Sequence, residues 1–182
     1  MRHSPLRGAL ACLLLMPVAA GCVIPSSGPP RAEVLAADAR ALVYGRTASE
    51  VLENPQLRDK VRALFGADWG PPSPGAGKLA QAAPLYFGRG GPLRMVHIGD
   101  ADYIAITGCV TRACATHRGL VLIRADGDEL WARLDEGGFS RYYGHGPAMV
   151  GAQVSPAFID SAWRALESVE PSAEKPRVES TS

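Results

Sequence analysis

Five short apolar runs separated by turn-forming residues lie between Leu93 and Tyr143, and no other feature limits the fold of this chain so tightly. Gly99-Asp100 separates Leu93–Ile98 from Tyr103–Thr107, Asp126-Gly127-Asp128 separates Leu120–Ala125 from Leu130–Leu134, and Gly137-Gly138 turns the chain into Phe139–Tyr143. Such residues supply the backbone geometry of tight hairpins. Consecutive hairpins imply an antiparallel meander of about five strands, whose apolar face needs a helix layer to cover it. The expected fold is therefore α+β, the meander packing against N-terminal and C-terminal helices.

Helical periodicity flanks the meander. Leu35, Ala39, Leu42 and Val43 fall at helical spacing and predict an amphipathic helix from Arg31 to Val43, stopped by Gly45. Thr47-x-x-Glu50 matches a capping box, and Asn54-Pro55 reads as a fresh cap before the stripe Leu57, Val61, Leu64 and Phe65, which Gly66 ends. After Trp69, the segment Gly70–Gly77 is too rich in Pro and Gly to hold a regular element. Ser155-Pro156 opens a last helix with Phe158, Ile159, Ala162, Trp163 and Leu166 on one side. The remaining tail has no aromatic residue and is expected to be disordered.

The N-terminus speaks of export. Arg2, His3 and Arg7 precede an apolar run from Gly8 to Val18, shorter than the roughly 20 residues of a membrane span. The following Val18-Ala19-Ala20-Gly21-Cys22 resembles the bacterial lipoprotein box, with Ala19 where Leu is commoner. That resemblance implies removal of residues 1–21, lipidation of Cys22, a Pro/Ser/Gly tether over 22–30, one domain over 31–168 and a tail over 169–182. Two acyl chains suffice for stable anchoring in a membrane. An ordinary secretory leader cut after Ala20 or Gly21 is the alternative, and would leave Cys22 free. Val23 rather than Asp after the cysteine favours the outer membrane, facing the periplasm, by analogy with enteric sorting.

Losing Arg2 and Arg7 turns the formal charge of +1 into −1, which disfavours nucleic acid as a partner because phosphate binding needs surplus cations. Cys12 leaves with the leader and Cys22 takes lipid, so Cys109 and Cys114 remain in the domain. Export places them in an oxidising compartment, where the expectation is a disulfide. A metal site using these thiols with His97, His117 or His145 would need them reduced, so none is expected. Signals for an enzyme fail. Gly75-x-Gly77-x-x-Ala80 follows a Pro-rich loop where a dinucleotide fingerprint needs a strand, Gly77-Lys78 lacks the rest of a Walker loop, and there is no nucleophile elbow. Asp126 with Asp128, and Asp135 with Glu136, read as solvated turn carboxylates, and Trp131 and Trp163 sit at core spacing.

Between two expected strands, Cys109-Val110-Thr111-Arg112-Ala113-Cys114 forms a short loop. Its closure is worth only about 2 kcal/mol by chain entropy, but rigidity lowers the cost of entering a partner's pocket. The run Gly99–Cys109, the Cys-x4-Cys spacing, the apolar Gly119–Ile123 and the turn to Leu130-Trp131-Ala132 are together similar to the Ivy family, bacterial inhibitors of vertebrate lysozyme. That resemblance spans roughly Ile98 to Leu134. It implies an exported envelope protein whose antiparallel sheet packs on helices and whose disulfide loop plugs the active cleft of a c-type lysozyme, its histidine facing the catalytic carboxylates. The family's loop reads Cys-Lys-Pro-His-Asp-Cys. Here Val110, Thr111, Arg112 and Ala113 fill the interior, so Arg112 stands at the histidine's position and Ala113 at the acid's.

The expected inhibitory loop is thus Val110–Ala113, with Arg112 forking onto a glycosidase's acidic pair. Against this stands the plainer reading of Arg112 as a solvated loop charge. His117 is placed to support the loop, or is a strand-start histidine bonded locally. The expected partner is a lysozyme or related murein hydrolase, with no cofactor, and a homodimer stays open because Ivy relatives can dimerise. An assembly lipoprotein and an immunity protein against a cell-wall toxin are the alternatives from other classes.

Overall fold

Left-handed glycines make the hairpins. Gly99 and Gly127 have φ of +67° and +76°, where a side chain would be strained and glycine is not. The computed structural model describes Gly28 and residues 30–72, 79–147 and 155–169. In chain order its main elements are β1 (Ala32–Leu35), α1 (Ala48–Leu52), α2 (Arg58–Phe65), β2 (Arg89–Gly90), β3 (Arg94–Ile98), β4 (Ala101–Cys109), β5 (His117–Arg124), β6 (Leu130–Glu136), β7 (Phe139–His145) and α3 (Pro156–Val169). Short 3-10 helices cover Ala39–Leu42, Gly66–Trp69 and Ala83–Phe87. The class is α+β, and strands β3 to β7 are the expected meander.

All strands join one seven-stranded antiparallel sheet in the order β1-β3-β4-β5-β6-β7, with β2 pairing β4 beside β3. Met95, Ile104, Ile106, Val121 and Ile123 face one side and pack with Val51, Leu57, Val61, Leu64 and Phe65 of the α1–α2 region. Val96, Ile98, Ala105, Leu120 and Leu122 face the other and pack with Ile159, Ala162, Trp163 and Leu166 of α3. Helices therefore cover both faces, where the strand pattern alone asks for one covered face. The unbroken apolar run Leu120–Ile123 in β5, buried throughout, is the signature of a strand covered on both sides. At about 1.5–3 kcal/mol per fully buried large apolar side chain, Ile159, Trp163 and Leu166 alone fix α3 to the sheet.

One expected helix is absent. Residues 32–35 form β1, which pairs with β3 through Ala32↔Ile98 to Leu35↔Met95, and only the 3-10 turn Ala39–Leu42 is helical. The apolar stripe does not become a buried face, since Leu42 is 47% and Val43 63% exposed. Pairing fills the open ladder of β3, and the two-residue alternation sends Val34 to the α3 side and Leu35 to the other. Asp38 caps the 3-10 turn by accepting from Arg40 N at 2.9 Å.

Of the other caps, Thr47 opens α1 as expected, while Asn54 caps only the turn at 55–57 and α2 itself starts after Leu57 with no side-chain cap. Thr47 Oγ1 accepts from Glu50 N, and the Glu50 carboxylate reaches back to Arg46 N at 2.8 Å rather than to the cap residue. Asn54 Oδ1 accepts from Gln56 N at 2.8 Å, and Gly66 ends α2 with φ +54°. The 3-10 helix Ala83–Phe87, which the sequence pattern did not announce, presses onto the sheet where Gly108 pairs with Gly119. A Cβ on Gly108 would lie 2.8 Å from Phe87 Cα, and one on Gly119 2.8 Å from the Phe87 ring. The glycine pair is what lets Phe87 in.

Candidate functional site

At the end of the β4–β5 hairpin the two cysteines are bridged, with their Cα atoms 4.9 Å apart. Val110 N donates to the His117 carbonyl at 3.0 Å and so continues the ladder past Cys109. Ala113 N then donates to the Val110 carbonyl at 2.9 Å, closing a four-residue turn. Arg112 occupies its third position with φ +71°. That geometry is of the type II kind, in which glycine or asparagine is the unstrained choice. An arginine there is held by its surroundings. The disulfide closes the turn, and Val110, 9% exposed, is buried in the α1–α2 side of the core with Ala113 packed against it.

The four expected loop residues thus divide into two roles. Val110 and Ala113 anchor, while Thr111 and Arg112 are exposed. Among the described residues the Arg112 side chain makes no hydrogen bond or ion pair. A cation is therefore presented at the tip of a turn that is fixed from behind.

Neighbouring elements bring two further exposed apolar groups to the same end of the sheet. Gly137 N donates to the Thr116 carbonyl at 3.1 Å, which sets the β6–β7 turn beside the loop. Phe139, 76% exposed, follows that turn. On the other flank, Thr111 Oγ1 and the Leu85 carbonyl both lie within 3.5 Å of the point where a Gly88 Cβ would stand, and Leu85 is half exposed. Neither residue was visible as a site member in the sequence, because an exposed Leu or Phe announces nothing until the fold places it.

His117 points away from the exposed turn. Its Nδ1 lies 2.8 Å from Thr116 Oγ1, its Nε2 3.8 Å from Glu136 Oε1, and its ring 6.0 Å from that of Tyr86. Glu136 also accepts from Ala80 N at 2.9 Å. Burial pushes the Tyr86 hydroxyl above its ordinary range, and the Glu136 charge adds to the shift. Tyr143 donates to Asp68 at 3.0 Å, and burial first, then that carboxylate, raises its hydroxyl. The His117 contacts lie at the base of the loop, at the start of β5.

The remaining candidates are scattered. His97 lies across from Asp102 on the β3–β4 ladder, with Nδ1 2.7 Å from Asp102 Oδ1, and Arg40 joins Asp102 to Asp38. Hydrogen bonding to Asp102 raises the His97 imidazole, and the same bond lowers the Asp102 carboxyl. His145 ends β7 and pairs with Leu130. Asp126 holds Arg124 and the Asp128 amide, and Asp128 binds Lys60 at 2.9 Å. Asp135 is not a solvated turn acid: it forks with Arg133, and both side chains are less than one-fifth exposed. The buried Glu129 accepts from Tyr103 at 2.8 Å and Trp131 at 2.6 Å, so Trp131 is core with its N–H satisfied.

Cys22, the tether apart from Gly28 and Pro30, the Gly75–Gly77 motif and the tail beyond Val169 lie outside the described residues. No helix among the described residues is long and apolar enough to cross a membrane. Comparison of the chain with protein-family models, curated proteins and solved structures finds no match.

Proposed function

We propose that this is an envelope lipoprotein, anchored through Cys22, that inhibits a lysozyme or related murein hydrolase by inserting its Cys109–Cys114 turn into the enzyme's active cleft. The observation that carries the reading is Arg112, an exposed guanidinium with no partner among the described residues, at the tip of a disulfide-closed, left-handed turn. Glycosidase clefts hold a pair of carboxyl groups about 5–9.5 Å apart, and a guanidinium offers five donors in a planar fork to such a pair. The likeness to the Ivy family supplies the same logic with a histidine at the Arg112 position. A pre-fixed turn loses little entropy on docking.

Thr111 and Arg112 enter the cleft in this reading, while Leu85 and Phe139 meet its rim. Arginine and aromatic residues are enriched among the groups that carry interface energy, which puts Arg112 first and Phe139 beside it. Val110, Ala113 and His117 act from behind by holding the turn.

The test is a titration of the Arg31–Ser168 domain against c-, g- and i-type lysozymes, followed by cell-wall lysis. Inhibition of at least one class is expected, abolished by Arg112→Glu and by reductant. Lysis untouched in every class would refute the proposal, and inhibition unchanged by Arg112→Glu would move the contact to the helix or sheet faces.

A further inference from the structure

A groove of about 860 Å³ opens on the α3 side of the sheet, behind the disulfide. Its lining includes Arg89, Arg94 and Arg118, with Trp163 and Leu166 of α3 on one wall and Cys109 and Cys114 at one end. The volume falls in the range of small-molecule sites, about 300–1,000 Å³. Strand alternation aims Arg94 to the same side as Val96, and Arg118 to the same side as Leu120, both on the α3 face.

These cations are not equivalent. Arg118 is satisfied, since its Nη1 lies 2.7 Å from Glu167 Oε1 and its guanidinium stands 4.7 Å over the Trp163 ring. Arg89 and Arg94 have no acidic partner among the described residues. Arg94 Nε is buried and has no hydrogen bond among the described residues, so only the outer part of that side chain is open to the groove it lines. A buried N–H left unmatched has lost its water and gained nothing in return. The two Nη groups at the outer end of a guanidinium match the two oxygens of a planar carboxylate.

We propose that this groove binds a small carboxylate-bearing ligand, a sugar acid or an N-acylated acidic amino acid, whose carboxylate meets the outer Nη end of Arg94 with Arg89 beside it. Leu166 and Pro92 offer the ligand's body an apolar rest. The site is separate from the tip of the loop and is measured without a hydrolase present, so either proposal can fail alone.

The experiment follows the arginine Nε–Hε signals and the binding heat of the full chain on titration with N-acetylmuramic acid, N-acetylglutamate, N-acetylglucosamine and inorganic phosphate. One acid is expected to shift a single Nε–Hε signal saturably, and whichever does so names the ligand's source. N-acetylglucosamine, which lacks the carboxylate, should leave the spectrum unchanged. Arg94→Lys keeps the charge and loses the fork, so affinity should fall about tenfold or more, the loss of one charge-assisted hydrogen bond. Arg89→Gln, at an exposed position, should weaken binding with the fold intact. Silence with both acids would overturn the proposal, as would wild-type affinity in Arg94→Lys. Equal, unsaturable shifts of many arginines with phosphate would overturn it too.

Discussion

Replacing Arg112 by glycine separates what the residue does for the fold from what it does for a partner. Arg112 holds φ +71°, and the left-handed region costs a residue with a Cβ about 1–2 kcal/mol. Glycine escapes that cost but gives the unfolded chain more freedom, worth about 0.5–1 kcal/mol against folding. No side-chain contact is lost, because the guanidinium has no partner among the described residues. The net is a gain of about 0.5–1 kcal/mol, which for a domain of this size raises the melting temperature by about 1–4 °C. Calorimetry of the oxidised domain measures it, with Arg112→Ala as the control that keeps the Cβ, removes the charge and brings no comparable rise. Both variants should lose inhibition of the hydrolase. A lowered melting temperature in Arg112→Gly would mean that the side chain supports the fold, and retained inhibition would mean that the tip cation is not the contact.

Gly119→Ala drives a methyl into the Phe87 ring and should cost about 1–3 kcal/mol in chemical denaturation, while Gly108→Ala, which meets Phe87 Cα and the Tyr86 carbonyl instead, should cost more because backbone yields less than a ring; equal costs would contradict the packing described. Replacing both Cys109 and Cys114 by Ser should lower stability by about 2 kcal/mol yet reduce inhibition much further than that loss explains, as read by comparing folded fraction with residual inhibition at one temperature. His97 should titrate by NMR above the ordinary histidine value, because Asp102 holds its proton, and Asp102→Asn should bring it down. The sign is that of a raised folded-state value: the bond stabilises fully below the unfolded value of about 6.5 and is lost as pH rises through the folded one. Asp102, lowered by the same bond, withdraws its contribution as pH falls through its own folded value, so the pair supports the β3–β4 edge most between the two. A His97 shift that survives Asp102→Asn would exclude this cause.

The meander was legible because local chemistry and global pairing agree in it. Glycines that tolerate the hairpin geometry sit between apolar runs, and each strand pairs with its neighbour in the chain. Residues 31–43 misled because Leu35, Ala39 and Leu42 keep helical spacing by coincidence, while the pairing that decides their state lies some sixty residues away in β3. A weak local preference yields to a ladder waiting for a strand. The second covered face had a sign in the apolar run of β5. The disulfide was expected from spacing and from the expectation of export, but the division of its loop was not. Nothing in Val-Thr-Arg-Ala says that the valine is core and the arginine left-handed, since a turn of this kind ordinarily announces itself with glycine. The cationic groove was invisible for a different reason: Arg89, Arg94 and Arg118 come from three strands joined by three pairings to β4, and their convergence is a property of the sheet.

A double-mutant cycle between Arg112 and a catalytic carboxylate of the inhibited hydrolase tests the central claim most directly. With Arg112→Ala, the matching carboxylate→amide change in the enzyme, and both together, charge pairs buried in an interface give coupling energies of about 1.5–7 kcal/mol. A coupling in that range is the expected result. Additivity within about 0.5 kcal/mol would contradict the account, because the guanidinium and the acid would then not meet.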